Sequence, residues 1–176
     1  MLFVPGRGGK EKIMFREMRR KGQQLSQTEA EAALRRGTSG VLSLVGDEGY
    51  PYGVPLSYVY ENGKLYFHCA SEGHKLDAVR REEKCSFCVI DQDRVAPKEY
   101  TTYFRSVIAF GRVRILQQDS EKRSAAEKLA VRYCPGDDAG RERELQAFWD
   151  KLCILEMTVE HLTGKEAKEL AKERTS

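Results

Sequence analysis

The chain has 176 residues, enough for one domain with a core of its own. Apolar residues make up 40% and charged residues 32%, a balance that argues against a disordered polymer and against a membrane partner. Thirty basic against 27 acidic side chains leave a net charge of +3, too small to imply nucleic acid as a partner.

Residues 1–13 carry Gly6, Gly8 and Gly9 among charges and read as a flexible N-terminal extension. A basic cluster follows at Arg16, Arg19, Arg20 and Lys21, either a solvated arm or one that reaches an acidic ligand. Ser26-Gln27-Thr28-Glu29 has the pattern of a capping box, in which serine and glutamate satisfy each other's backbone amides. Leu25 is placed to staple onto Ala30, and a short helix through Ala32, Ala33 and Leu34 follows. Gly37 stops it, with Arg35 and Arg36 near the negative end of its dipole.

Val41 to Val45 predicts a strand, 46–49 a turn, and Tyr50 to Tyr60 a second strand. Asn62-Gly63 is a hairpin signal, since both turn positions want positive φ, and Lys64 to Cys69 is the third strand. Parallel strands would need longer crossovers, so this is an antiparallel meander. A helix over Gly73 to Glu82, a strand over Lys84 to Ile90 and a polar loop over Asp91 to Lys98 come next. Tyr103 to Leu116 is a long strand in which Gly111 marks a bulge or bend. Helices over Ser120 to Tyr133 and Arg141 to Asp150 flank Pro135-Gly136, and Leu152 to Leu162 is the last strand. The charged tail, 169–176, reads as frayed. The sum is one mainly β domain over 14–168, an antiparallel barrel of about six strands with helical decoration.

Three features bear on chemistry. Pro55 cannot donate to a ladder, so Val54-Pro55-Leu56-Ser57 belongs at an edge or a bulge, facing solvent or a ligand along its backbone. Gly73-His74-Lys75 enters a helix, where free amides, the dipole and two basic side chains suit a phosphate, with Ser71 as a further donor; a solvated helix start is the alternative. Cys85-x-x-Cys88 lies in a strand, where positions three apart face opposite ways, so no metal site is expected. The five cysteines read as reduced thiols of a cytoplasmic protein. No Gly-x-Ser-x-Gly elbow supports serine hydrolysis.

Taken in order, several segments resemble one family. They are Phe15-Arg16-Glu17-Met18-Arg19-Arg20-Lys21, Gly40-Val41-Leu42-Ser43-Leu44, Gly49-Tyr50-Pro51-Tyr52-Gly53-Val54-Pro55-Leu56-Ser57-Tyr58-Val59-Tyr60, Leu65-Tyr66-Phe67-His68-Cys69-Ala70, Gly73-His74-Lys75-Leu76-Asp77, Tyr103-Phe104-Arg105-Ser106-Val107, Gly111-Arg112-Val113 and Leu162-Thr163-Gly164-Lys165-Glu166-Ala167. The series is similar to the nitroimidazole-resistance branch of the pyridoxamine 5′-phosphate oxidase-like flavoproteins. That resemblance implies a six-stranded, Greek-key-like split β-barrel and a homodimer with FMN in clefts between subunits. It implies that Val54, Pro55, Leu56 and Ser57 run along the flavin ring, with His68, Cys69 and Ala70 near the ring and ribityl chain. His74 and Lys75 match the phosphate-binding basic pair, and His74 also the catalytic histidine facing a small-molecule substrate such as a nitroaromatic. Tyr103, Arg105, Ser106 and Val107 would approach from the partner. The segment Val54 to Ser57 lacks basic residues, and Leu162 to Leu170 lacks the arginine motif that vitamin B6 oxidation requires, so a small-molecule reductase is the first expectation. A non-catalytic flavin or haem binder, with His68 or His74 as axial ligand, is the alternative.

Overall fold

The structure is a computed structural model that describes residues 15–175; the extension expected over 1–13 lies outside the described residues. Its first helix, α1 (Gln27–Arg36), starts where the capping box predicts. The Glu29 amide donates to Ser26 Oγ at 3.3 Å, and the Ser26 amide donates to Glu29 Oε2 at 2.7 Å. The chain continues through β1 (Ser39–Val45), β2 (Pro51–Ser57), β3 (Val59–Glu61), β4 (Lys64–Ala70), α2 (His74–Arg81), β5 (Lys84–Ala96) and β6 (Thr101–Ile115). It closes with α3 (Asp119–Tyr133), α4 (Asp138–Phe148), β7 (Leu152–Glu166) and α5 (Lys168–Thr175). One antiparallel sheet runs β2-β1-β5-β6-β7-β4-β3. The class is mainly β with helices, as the meander predicts, in a curved sheet consistent with a split barrel. Among the described residues it has seven strands rather than six, and no hydrogen-bonded ladder joins β2 to β3.

Four differences from the sequence reading have local causes. The expected strand Tyr50 to Tyr60 divides at Tyr58, and its halves sit at opposite ends of the sheet. Tyr58 is fully buried; its hydroxyl donates to the Leu34 carbonyl at 2.7 Å and its amide donates to Tyr133 Oη at 2.9 Å, so side-chain partners replace the ladder. Gly37 does end α1, but with φ −62°, so a left-handed cap is not its purpose. A Cβ there would stand 2.6 Å from Tyr58 Oη, and glycine is what lets the tyrosine in. The stretch expected as a polar loop is strand: β5 shifts register between Ile90 and Gln92 and continues to Ala96, pairing with Thr101 to Arg105. Arg94 lies 4.2 Å over the Tyr103 ring on that ribbon, which holds polar residues in extended form. Finally, β7 extends to Glu166 and the tail expected to fray is α5, anchored by buried Ala167 and Ala171.

Other signals hold. Asn62 and Gly63 both have positive φ, 50° and 76°, between β3 and β4. Gly111 sits at a register shift between β6 and β7, where a Cβ would collide with the Thr158 carbonyl. The main core lies on the inner face, where Phe87 packs against Tyr58 and Phe67 with ring centroids 4.9 and 5.0 Å apart, under Leu34 of α1 and Leu76 of α2. A smaller cluster joins Tyr66 and Ile154 on the outer face to Ala125, Ala126 and Leu129 of α3. The strands β4 and β7 are therefore covered on both faces, which is why Leu65 to Phe67 and Cys153 to Met157 are buried without alternation. Among the described residues no helix is long and apolar enough to cross a membrane.

Candidate functional site

The last turn of β4 delivers His68, Cys69 and Ala70 to the loop Ser71 to Gly73, which opens into α2. Gly73 takes φ 123°, a conformation side-chain-bearing residues rarely adopt, and so aims the first amides of α2 out of the ladder. Lys75 is half-buried at the second position of the helix. Among the described residues it makes no hydrogen bond or ion pair, and its charge acts on Cys69 and Cys153. His74 is occupied: its ring stacks on Tyr52 of β2 with centroids 4.1 Å apart, and its Nε2 lies 3.4 Å from Asp47 Oδ2. Arg81 at the far end of α2 bonds the same carboxylate at 2.6 Å and holds it below the usual carboxylate range.

The expected edge segment is an edge. β2 pairs with β1 alone, with Pro55 opposite Val41. Val54 and Leu56 turn half-buried toward the core, whereas Pro55 and Ser57 face outward. Ser57 and His68 meet in the wall of a cavity of about 670 Å³ between α3–α4 and the outer face of β4 and β7. Leu129, Leu145, Phe148, Leu152 and Ile154 make it largely apolar, with Tyr133 and Arg141 among its polar groups. The structure thus brings Ser57 and His68 together, sets Lys75 electrostatically against Cys69, and stacks His74 beside β2.

Tyr103, Arg105, Ser106 and Val107 lie elsewhere. His68 pairs with Ile154 and Ser106 with Lys165, eleven residues apart on β7. Along the strand that is up to about 36 Å, an upper bound in a curved sheet. Val107 is fully buried, so its side chain belongs to the core. Tyr103 donates its hydroxyl to Glu99 at 2.6 Å. Arg105 is committed to carboxylates, with Nη2 3.0 Å from Glu166 Oε2 and Nη1 3.5 Å from Asp91 Oδ2. Glu166 is fully buried and bonds Arg174 as well, at 2.8 Å, so this cluster ties β6, β7 and α5 together.

Several residues escape sequence reasoning. Tyr52 and Asp47 reach His74 across a turn that carries no pattern of its own. The cavity residues of α3 and α4 read as ordinary packing positions, although Tyr133 and Phe148 are exposed on the cavity's rim. Cys153 stands directly opposite Cys69, which spacing in the chain cannot reveal.

The family described as pyridoxamine 5′-phosphate oxidase matches residues 26–166. Among solved structures, a conserved hypothetical protein of Mycobacterium tuberculosis superposes with TM-score 0.73 at 18% identity, over 87% of this chain and 92% of the other. An FAD and haem binding protein from Mycobacterium smegmatis gives 0.68 at 18% identity, over 88% and 80%. A protein assigned to 5-nitroimidazole antibiotic resistance from Bacteroides thetaiotaomicron gives 0.66 at 21% identity, over 81% and 86%. At such identities the likeness is one of fold. No curated protein matches the chain.

Proposed function

The chain belongs to the pyridoxamine 5′-phosphate oxidase family, and on that footing we propose that it binds FMN and reduces small molecules, nitroaromatics among them. The observation that carries the reading is Lys75: a half-buried lysine whose ammonium has no anionic partner among the described residues, at the second position of α2. A phosphate monoester with about −1.5 to −2 charges fits that place, with Ser71 able to donate to it. The apolar cavity reached by Ser57 and His68 is large enough for a flat organic ring.

A bound flavin supplies hydride chemistry, and the protein supplies position and proton control. Lys75 and the α2 amides would hold the phosphate. The outward backbone of β2 at Pro55 and Ser57 would contact the ring, and α3–α4 would cover one side of the cavity. His74 holds or moves a proton at its imidazole, with Tyr52 fixing the ring plane and Asp47 orienting Nε2.

The proposal includes a homodimer. Pro55, Val41, Cys88 and Ile108 stand in one register row across four strands on the outer face, and Val41 and Ile108 are exposed. Tyr103 to Ser106, remote from Lys75 in the same chain, reach a flavin only from a second copy. The test is an absorbance spectrum of the purified protein, followed by release of the chromophore and its mass. Released FMN supports the reading. A colourless protein that refuses added FMN overturns it.

One observation favours a second reading. His68 lines a mainly apolar cavity, where its imidazole could ligate a haem iron, and the M. smegmatis neighbour is described as binding FAD and haem. A strong Soret band selects this reading; a flavin spectrum removes it.

A further inference from the structure

We propose that Cys69 and Cys153 are a redox-active pair that closes to a reversible cross-strand disulfide. Three observations carry this. First, the two residues are register partners on the antiparallel strands β4 and β7. Opposed residues in such a ladder have Cα atoms about 4.5–5.5 Å apart, within the span that a disulfide bridges without moving the backbone. Second, both side chains lie on the inner face. Their neighbours His68, Leu152 and Ile154 point the other way, into the cavity, while Cys153 belongs to the main core cluster and Cys69 packs against it. Both are free thiols in this structure. Third, the charges around the pair are unequal. Lys122, Arg80 and Lys75 all favour the thiolate of Cys153, against the burial that opposes it, whereas Lys75 alone does so at Cys69. A thiolate is the nucleophile in such chemistry, so Cys153 attacks and Cys69 resolves.

With hydrogen peroxide as the two-electron oxidant, the Cys153 thiolate attacks one oxygen, the O–O bond breaks, and hydroxide leaves with the sulfenic acid formed. The Cys69 sulfur then attacks the sulfenic sulfur, the S–S bond forms and water leaves. Two thiols and one peroxide give one disulfide and two waters. The other cysteines are not so placed. Burial pushes the Cys85 thiol up to about 12, Cys88 belongs to the outer face, and Cys134 is exposed and has no cysteine opposite it.

The experiment uses the full chain as purified. It is treated with a small excess of hydrogen peroxide, unfolded, alkylated with iodoacetamide and mapped by mass spectrometry. The expected product is a linked Cys69–Cys153 peptide lighter by two hydrogens, with both alkylated peptides depleted and restored by dithiothreitol. The Cys134→Ser variant gives the same linkage, whereas Cys69→Ser leaves sulfenic or sulfinic acid at Cys153. Oxidation confined to Cys134, a linkage through any other cysteine, or full alkylation of Cys69 and Cys153 after treatment overturns the proposal.

Discussion

Replacing Lys75 by alanine removes the one ammonium near the α2 amides that makes no ion pair or hydrogen bond among the described residues. A charge-assisted hydrogen bond to phosphate contributes about 1.5–3 kcal/mol, so Lys75→Ala is expected to weaken FMN binding by about 10- to 150-fold. No internal partner has to be released when Lys75 binds, so little of that is offset. His74 differs, because its ring already rests on Tyr52 and its Nε2 is turned to Asp47. Its removal is expected to cost less than about 1 kcal/mol, roughly fivefold. The assay is titration of the apoprotein with FMN, followed by flavin fluorescence. Riboflavin, which lacks the phosphate, is titrated in parallel. Lys75→Ala leaves riboflavin affinity unchanged, Lys75→Arg recovers most of the FMN affinity, and high salt narrows the gap between wild type and Lys75→Ala. Equal losses for Lys75→Ala and His74→Ala, or an equal loss for riboflavin, would refute the phosphate assignment.

Arg105→Ala strands the fully buried Glu166 with Arg174 alone, and is expected to cost about 3 kcal/mol, or roughly 6–12 °C in Tm; a loss below about 1 kcal/mol by urea unfolding shows that the cluster is not structural. Ser26→Ala removes the capping box at about 1 kcal/mol near neutral pH. Because the Ser26 hydroxyl and amide hold the Glu29 carboxyl below its ordinary value, that stability is present above the unfolded carboxylate range and disappears as pH falls through the folded value. The gap between wild type and Ser26→Ala in urea melts therefore shrinks in acid, and a constant gap contradicts the coupling. Gly111→Ala drives a Cβ into the Thr158 carbonyl, where backbone cannot yield, and is expected to cost at least about 3 kcal/mol, read as lost soluble yield or Tm. Ile108→Glu places a charge in the exposed apolar row and is expected to turn a dimer into a monomer by sedimentation; a wild-type monomer refutes the dimer itself.

What the sequence disclosed was local. The capping box, the Asn62-Gly63 hairpin and the Gly111 bulge are each decided by a few adjacent residues, and each sits where its chemistry predicts. The failures are non-local. Nothing near Tyr58 says that its hydroxyl will find Leu34, so an unbroken strand was the natural reading of a β-rich run. Asp91 to Lys98 is polar because both faces of its ribbon meet solvent or charge, and polarity alone reads as loop. The tail folds because Ala167 and Ala171 find cover and Arg174 finds Glu166, contacts that composition does not report. The site divides the same way. Gly73-His74-Lys75 was legible as a helix start bearing basic side chains, since glycine and cations are contiguous there. The cavity was not, because its walls come from β2, β4, β7, α3 and α4.

That division bears on where substrate choice resides. The strands β4 and β7 already need cover on their outer face, and α3 supplies it with Ala125, Ala126 and Leu129. α4 adds no buried residue of its own, and its Phe148 is more than half exposed. A helix that only closed the fold would bury such a ring. α4 instead stands off the sheet, and the space left between them is the cavity whose floor carries His68 and Ile154. Changes in Leu145 or Phe148 therefore alter the cavity's shape at little cost to the core. On the proposed reading, in which Lys75 holds a phosphate, the excursion between β6 and β7 is the part of the chain free to set which small molecule enters, and β4 with α2 is the part that fixes what it meets there.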